Sequence, residues 1–317
     1  FVFITNDGNT LTVTLTSADV ASSPVQNVQI LETDAGKVGY LQFNSHIALA
    51  QSQLINAVNS FANANVNEVV LDLRYNGGGL LALASQFAYM VSGDAIIQDR
   101  IFEQTVFNDK YPNRDPVTGQ TLSPMPFYGF EIDYEGGRLT NTPLPELNLN
   151  RIFVLSTGDT CSASEAFING LRGIDVEVIL IGDQTCGKPY GFYPTDNCGT
   201  TYFTIQFSGV NAKGFGQYAD GFYPTPVPTF AADVKGCQVA DDFSAQLGDP
   251  NENMLASALH YATFDNCPLG VAGQSLSQSQ RQDDGSGLSI HRHNPRMEAF
   301  LLEDKINQPI KPAQDKH

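Results

Sequence analysis

The sequence predicts an α/β fold with a mostly parallel sheet and flanking helices. Two observations predict it: apolar β-branched runs alternate with helix-like runs, and a glycine turn joins one strand directly to the next helix. Residues 69–73 form a predicted buried strand that ends in Gly77-Gly78-Gly79 and leads into a helix over 80–90. Residues 152–155, a helix, and the continuous apolar run 176–181 repeat this order. Strands joined by a crossover helix run parallel, so the order favours a parallel sheet.

The first residues are predicted to belong to a separate β unit. Residues 9–16 alternate apolar and polar side chains, which indicates a half-buried strand. The turn Asn6-Asp7-Gly8 predicts that this strand forms a hairpin with residues 1–4. Residues 18–28 are rich in Ser, Pro and Ala, which is typical of a linker.

The main domain is predicted to begin with a strand at 38–43 and a helix at 49–64. Residues 106–148 are rich in Pro, Asn, Gly and Tyr, and so long a segment without periodicity favours a functional loop or lid. Beyond 270 the composition shifts to Ser, Gln, Asp and Gly, which is typical of a disordered tail. The predicted units, in chain order, are the end of a truncated β module (1–18), a linker (19–37), the main α/β domain (38–270) and a polar tail (271–317).

The charge and composition exclude several classes of function. The 317 residues carry a formal charge of −17, which argues against binding to nucleic acid or to anionic membrane surfaces. Apolar residues make up 42 % of the chain, enough to build a sizeable core, yet no run reaches the ~18 apolar residues of a transmembrane helix. The composition leaves the oligomeric state open.

The cysteines predict disulfides rather than a metal site. The chain has five cysteines and no C-x-x-C pair, which argues against structural zinc. We expect one or two disulfides. The first choice is Cys161–Cys186, because both residues flank the candidate site from two strand ends; Cys186–Cys198 and Cys237–Cys267 are the alternatives.

The candidate site is built around a serine and a lysine. Ser162 follows the strand at 152–155 and is predicted at a helix N-terminus, where free backbone N–H groups favour a developing oxyanion. Lys188 follows the strand at 176–181, and the carboxyl ends of parallel strands meet at one edge of the sheet. Taken singly, these residues have simpler interpretations. Ser162 with Glu165 forms a capping box, and a lysine after a strand is usually solvated.

The base in such a site is either Lys188 or a histidine. A lysine has an ordinary pKa of about 10.4, and lowering it to about 7 costs roughly 4–5 kcal/mol, which burial against apolar walls can supply. His46 follows the first strand of the main domain and is the rival base, although an ordinary loop histidine is the simpler interpretation. We find no histidine and carboxylate cluster with metal-ligand spacing in the sequence.

The glycine run at 77–79 predicts an oxyanion site better than a phosphate site. Neither G-x-x-x-x-G-K-[ST] nor G-x-G-x-x-G is present, so nucleotide-binding loops are not indicated. Glycines let a ligand approach the backbone and free N–H groups to face an anion. The alternative is a tight turn from strand to helix without further function.

Three motifs together resemble those of one family, the C-terminal processing (tail-specific) serine proteases. The motifs are Leu71-Asp72-Leu73-Arg74-Tyr75-Asn76-Gly77-Gly78-Gly79, Thr160-Cys161-Ser162-Ala163-Ser164-Glu165 and Thr185-Cys186-Gly187-Lys188. The resemblance implies a crotonase/ClpP-like core with a mostly parallel sheet and flanking helices, preceded by the end of a PDZ-like β module. It also implies a periplasmic or exported serine endopeptidase that needs no cofactor or metal and acts on unfolded or C-terminal peptide segments.

The resemblance assigns a role to each residue of the site. Ser162 matches the nucleophile and Lys188 the general base of the family's Ser-Lys dyad. The N–H of Ala163 matches one oxyanion donor, and a glycine of the pair Gly78-Gly79, with Gly78 favoured, matches the other. The family often has a glutamine four residues after the lysine, where this chain has Phe192, so the group that orients Lys188 differs and the branch is divergent.

Two other functions fit the same residues. A non-catalytic scaffold would bind a peptide or apolar ligand in the cleft, and the missing glutamine is compatible with it. An acyl-thioester hydrolase would use the same glycine-rich oxyanion hole, which recurs in crotonase-like folds.

Overall fold

A seven-stranded sheet is the centre of the structure, a computed structural model that describes residues 1–5, 7–18, 20–34, 36–193 and 195–269. In chain order the elements are β1 (Val2–Ile4), β2 (Thr10–Thr12), β3 (Val25–Thr33), β4 (Gly36–Phe43), α1 (Ala50–Ala64), β5 (Glu68–Asp72), α2 (Leu81–Ser92), α3 (Asp94–Ile97), β6 (Ile101–Val106), β7 (Met125–Pro126), β8 (Phe130–Asp133), β9 (Arg138–Pro143), β10 (Arg151–Ser156), α4 (Ala163–Gly173), β11 (Glu177–Gly182), β12 (Tyr190–Gly191), β13 (Thr195–Asn197), β14 (Thr200–Tyr202), β15 (Phe207–Val210), β16 (Tyr223–Thr225), β17 (Asp233–Gln238) and α5 (Asn253–Phe264).

The sheet is mixed and mostly parallel, as the sequence predicts. Its strand order is β16-β17-β11-β10-β5-β4-β3. Every neighbouring pair from β4 to β16 is parallel, and only the edge strand β3 pairs antiparallel, with β4. The elements β4-α1-β5-α2 and β10-α4-β11 are the two predicted units. The parallel pairing of β10 with β5 joins the two units, so that β5, β10 and β11 are adjacent.

Helices cover both faces of this sheet, so the central strands are buried on both sides. In β11, Val178 and Leu180 face the core formed with α1, α2 and α4. Ile179 and Ile181 face the second core, which includes Met254 and Leu255 of α5. This explains why the strand is a continuous apolar run rather than an alternating one.

A buried ion cluster fixes the end of β5 just before the glycine turn. The Arg74 side chain is fully buried and lies 2.7 Å from Asp72 and 3.0 Å from Glu252. The Glu252 carboxylate also caps α5 by accepting the amides of Met254 and Leu255 at 3.1 Å each. The cluster thus joins α5 to the strand that leads into the candidate site.

The structure corrects several predictions at the edges of the domain. Within the linker predicted for 19–37, residues 25–33 form β3 of the main sheet. Residues 106–148 contain β7 and the β8–β9 hairpin rather than only irregular loop. The sequence analysis does not predict the strands β16 and β17 of the main sheet. These segments are short or lie at sheet edges, so their apolar periodicity is weak.

The structure tests the predictions for the two ends of the chain only in part. The hairpin β1–β2 is present, but its residues are exposed rather than half-buried. Its assignment to a PDZ-like module stays a prediction. The tail predicted at 271–317 lies outside the described residues. In the described part of the chain, no helix combines the length and apolar character needed to cross a membrane.

Candidate active site

The predicted site residues meet at the carboxyl edge of three adjacent strands. The glycine turn follows β5, Ser162 follows β10, and Lys188 follows β11. Gly79, Ser162, Ala163 and Lys188 line one cavity of about 50 Å³. Its other walls include the apolar or aromatic side chains of Leu81, Ala166, Phe192, Phe207 and Tyr218, together with the buried carboxylate of Glu103. A cavity of this size holds a few water molecules or one short side chain.

Ser162 has an unusual backbone conformation at the start of α4. Its φ is +57° and its ψ is −115°, a region that a residue with a Cβ rarely adopts. Such strain persists only where the surroundings over-determine it, and it is concentrated at functional sites. The sequence predicts the helix start at this position but gives no sign of the strain.

The two glycines after β5 differ in what their amides bind. The Gly78 N–H donates to Asn76 Oδ1 at 3.0 Å, so it is already engaged. Within the described residues, no hydrogen bond from the Gly79 N–H or the Ala163 N–H is present, and both residues line the cavity. The Gly79 N–H is therefore better placed than the Gly78 N–H, which the sequence analysis prefers, to act with the Ala163 N–H as an oxyanion donor.

Gly78 nevertheless has a steric requirement beside the serine. Its φ is +93°, and a Cβ there would lie 2.7 Å from Ala163 N and 2.8 Å from Ser162 Cβ. Only glycine therefore allows the two turns to approach this closely.

Lys188 lies beside the aromatic ring that replaces the family's glutamine. Its Nζ is 4.7 Å from the centroid of the Phe192 ring, within the range of a cation–π contact. Phe192 in turn packs edge-on against Phe203, with 5.3 Å between the ring centroids. Phe192 is therefore one of the groups that contact the lysine amine.

Glu165 connects the serine turn to the lysine segment, a role that the sequence did not predict. Its carboxylate is fully buried and accepts four hydrogen bonds. The backbone amides of Ser162 and Lys188 donate to Oε2 at 2.9 and 2.8 Å. The Gly187 amide and the Thr185 hydroxyl donate to Oε1 at 2.8 and 2.7 Å. Burial raises the pKa of Glu165, and these four donors oppose the rise.

Glu165 was recognised in the sequence only as part of a capping box. The bond from the Ser162 amide is the local contact that this motif predicts. The other three donors come from residues 20 or more positions away. A spacing argument cannot find them, because they depend on how β11 lies against α4.

His46 is buried behind the glycine turn and does not titrate near neutral pH. Burial lowers the pKa of His46 to about 3, and its Nδ1 lies 3.2 Å from Asn76 Oδ1. Its backbone N–H donates to the Gly78 carbonyl at 3.0 Å, and its carbonyl accepts the Leu80 amide at 2.7 Å. His46 is absent from the cavity lining, so the geometry gives it a structural position rather than that of a base.

Two disulfides are present, and the first choice from the sequence is confirmed. Cys161 is bonded to Cys186, with 5.2 Å between the Cα atoms. Cys237 is bonded to Cys267, the pairing given as an alternative, and Cys198 is a free, exposed thiol, so the Cys186–Cys198 alternative is wrong.

The disulfide and Glu165 also form a group with metal-ligand residue types. In the described part of the chain, the ligand atoms of Cys161, Glu165 and Cys186 lie within 4.8 Å of one another. The two sulfur atoms are bonded to each other, and both Glu165 oxygens already accept hydrogen bonds. These atoms are engaged within the protein, so we assign no metal site to them.

Comparisons with known proteins match the part of the chain that contains this site. Residues 37–194 match the family model described as Peptidase family S41, a range that includes the glycine turn, Ser162 and Lys188. A carboxyl-terminal-processing protease of Picosynechococcus sp. (strain ATCC 27264 / PCC 7002 / PR-6) is 27% identical over 177 residues, which are 56% of this chain and 35% of the relative.

A solved structure resembles most of the chain. A crystal structure from Bacteroides fragilis NCTC 9343, described as that of an S41 protease, has a TM-score of 0.63 and 25% sequence identity. The match covers 78% of this chain and 60% of that one. This chain thus spans about a third of the curated relative and somewhat under two thirds of the solved one.

Proposed function

Since the chain belongs to peptidase family S41, we propose that it is a serine endopeptidase with Ser162 as nucleophile and Lys188 as general base. The family match confirms the resemblance that the three motifs predict. One observation supports the specific roles above all: a strained serine, a lysine and two amides without partners in the described chain, those of Ala163 and Gly79, line a single cavity.

The proposed reaction proceeds through an acyl-enzyme. The Ser162 Oγ attacks the carbonyl carbon of a peptide bond while its proton passes to the neutral Lys188 amine. The carbonyl oxygen becomes an oxyanion and accepts the N–H groups of Ala163 and Gly79. The C–N bond then breaks, the leaving amine takes the proton from Lys188, and an ester remains on Ser162.

Water completes the proposed cycle. A water molecule attacks the ester carbonyl and gives its proton to Lys188. The ester C–O bond breaks, Ser162 recovers its proton, and the product leaves as a carboxylic acid. The position of Lys188 in the same cavity as Ser162 supports this role.

The family resemblance suggests the substrate and the compartment. We propose that the enzyme cleaves unfolded or C-terminal peptide segments, which can enter a narrow site in extended form. Two disulfides fit an oxidising compartment, so we propose an exported or periplasmic location.

Fluorophosphonate labelling followed by peptide mapping tests this function. We expect the wild type to be labelled at Ser162 and Ser162→Ala to remain unlabelled. We expect Lys188→Ala to abolish cleavage of an unfolded protein while its circular dichroism stays unchanged. If His46→Ala alone removes activity and Lys188→Ala does not, the assignment of the base is wrong.

A peptide-binding scaffold is the second candidate, favoured by Phe192 at the position where the family often has glutamine. A scaffold would bind peptide without labelling or cleavage. Absence of labelling under conditions that label an S41 relative would favour it over the enzyme.

A further inference from the structure

A disulfide lies directly between the two segments that carry the proposed nucleophile and base. Cys161 immediately precedes Ser162, and Cys186 lies two residues before Lys188. Along the main chain Ser162 and Lys188 are separated by α4 and β11. Through the disulfide they are separated by Cys161, Cys186 and Gly187 alone.

We propose that the Cys161–Cys186 disulfide is a positioning element of the Ser162–Lys188 pair, so that its reduction by a dithiol switches the peptidase activity off. This inference rests on the proposed function. It concerns residues that touch neither substrate nor the reacting atoms and act through their neighbours.

The strained conformation of Ser162 is the first argument. A positive φ at a residue with a Cβ relaxes unless its neighbours hold it. On one side of Ser162 the constraint is Cys161, whose amide donates to the Asn76 carbonyl at 3.0 Å and whose side chain is bonded to Cys186. Breaking the S–S bond leaves only hydrogen bonds to hold this turn.

The lysine segment depends on the same link. The Cys186 amide donates to the Thr160 carbonyl at 3.0 Å, and the Gly187 and Lys188 amides donate to Glu165 at 2.8 Å each. These hydrogen bonds and the disulfide together join the strand-end segment to the serine turn. The disulfide is the covalent member of the set, so it limits how far the segments can separate when the hydrogen bonds open.

Both disulfides offer at least one half-buried sulfur atom to a reductant. Cys161 and Cys186 are both half-buried at the site. Cys237 is only 2% exposed, but its partner Cys267 is half-buried. A dithiol can therefore attack either bond, and the effect on activity has to be assigned by mapping which cysteines are alkylated.

The reduction is a thiol–disulfide exchange. A thiolate of the dithiol attacks the sulfur of one cysteine, and the other cysteine leaves as a thiolate and takes up a proton. The second thiol of the reductant then displaces the first cysteine. The dithiol is oxidised to a disulfide, and Cys161 and Cys186 are each reduced to a thiol.

The test compares two double variants. Cys161→Ala/Cys186→Ala removes the proposed positioning element, and Cys237→Ala/Cys267→Ala is the matched control. The sequence separations are 25 and 30 residues, so both variants lose a similar constraint on the unfolded chain. Melting temperature, kcat, KM and the rate of fluorophosphonate labelling are measured for each.

We expect both variants to melt at lower temperatures by similar amounts. We expect only the first to lose at least about tenfold in kcat and in labelling rate, with KM within about twofold of the wild type, because small displacements of reacting groups cost this much or more. The proposal is overturned if the two variants have the same kcat, whether both keep the wild-type value or both lose activity.

Native reduction is the second measurement, and it decides the matter if the first variant does not fold. Wild-type protein is treated with dithiothreitol, alkylated and mapped, with Cys198 as the internal free thiol. Activity should fall in proportion to alkylation of Cys161 and Cys186 and return on reoxidation. Full alkylation of Cys161 and Cys186 without loss of activity overturns the proposal. If the oxidised wild type is not labelled by the fluorophosphonate and does not cleave peptide, the proposed function is refuted, and this inference with it.

Discussion

Glu165→Gln is the substitution that most directly tests how the serine turn and the lysine segment are held together. The change keeps the size of the side chain and replaces one acceptor oxygen by an NH₂ group. The native carboxylate receives two donors on each oxygen. In the place of Oε2, the new NH₂ group faces two backbone amides, and two hydrogen bonds are lost. In the place of Oε1 it faces the Gly187 amide but can donate to the Thr185 hydroxyl, so at least one hydrogen bond is lost.

The loss of stability follows from the hydrogen bonds that are lost. A hydrogen bond to a charged group contributes about 1.5–3 kcal/mol, so one or two contribute roughly 1.5–6 kcal/mol. Replacing the carboxylate also removes the cost of burying a charge, which is the reason that the pKa of Glu165 is raised. We therefore expect a net loss in the lower half of this range, about 3 kcal/mol. At about 2 °C per kcal/mol for a chain of this size, the melting temperature should fall by about 6 °C.

Urea denaturation and the rate of fluorophosphonate labelling measure the two consequences. We expect labelling of Ser162 to slow by about 100-fold because both segments lose a common anchor. Glu177→Gln is the matched control, since Glu177 pairs with Lys235 at 3.0 Å and both side chains are exposed; it should cost less than about 1 kcal/mol. If Glu165→Gln behaves like this control in both assays, the argument that Glu165 joins the two segments fails.

Three further outcomes are expected. Burial lowers the pKa of His46 to about 3, so below about pH 6.5 the unfolded chain binds a proton that the folded chain does not, and stability falls on acidification. In urea titrations the free energy of unfolding of the wild type should fall by about 2 kcal/mol more than that of His46→Gln between pH 6.5 and 5. The same pH dependence of stability in both proteins would contradict this. Arg74→Met leaves the buried carboxylates of Asp72 and Glu252 without their cation. The free energy of unfolding, measured with denaturant, should fall by about 3–5 kcal/mol, and a fall below about 1 kcal/mol would contradict the role of the cluster. Gly78→Ala brings a Cβ to 2.7 Å from the first amide nitrogen of α4 and should reduce labelling by at least about 100-fold. Gly119→Ala, which has φ +72° but nothing within 4 Å of its Cβ, should label normally; equal effects would show that backbone strain alone is responsible.

The core of the fold could be predicted because its signals are local. Strands joined by a crossover helix are predicted to be parallel, and the pairs β4–β5 and β10–β11 are parallel as expected. The edge strands could not be predicted in the same way. β3 is exposed or half-buried over most of its length and belongs to the sheet through its pairing with β4. The pattern of apolar residues within 25–33 therefore does not predict that pairing.

The position of the candidate site was likewise available from the chain alone. Residues that follow parallel strands lie at one edge of the sheet, so the sequence predicts that Ser162, Lys188 and the glycine turn are close together. The same argument led to the Cys161–Cys186 pairing, which the structure contains.

What the sequence determined by itself is therefore the two strand–helix units of the main sheet and the identity of the side chains that follow their strands, because both are set by residues close in the chain. Tertiary structure alone decided which glycine amide is engaged by Asn76, how deeply His46 is buried, and that Glu165 accepts donors from the segment after β11. Hydrogen-bond partners and the burial of a charge are properties of the space around an atom, and that space is filled by residues distant in the chain.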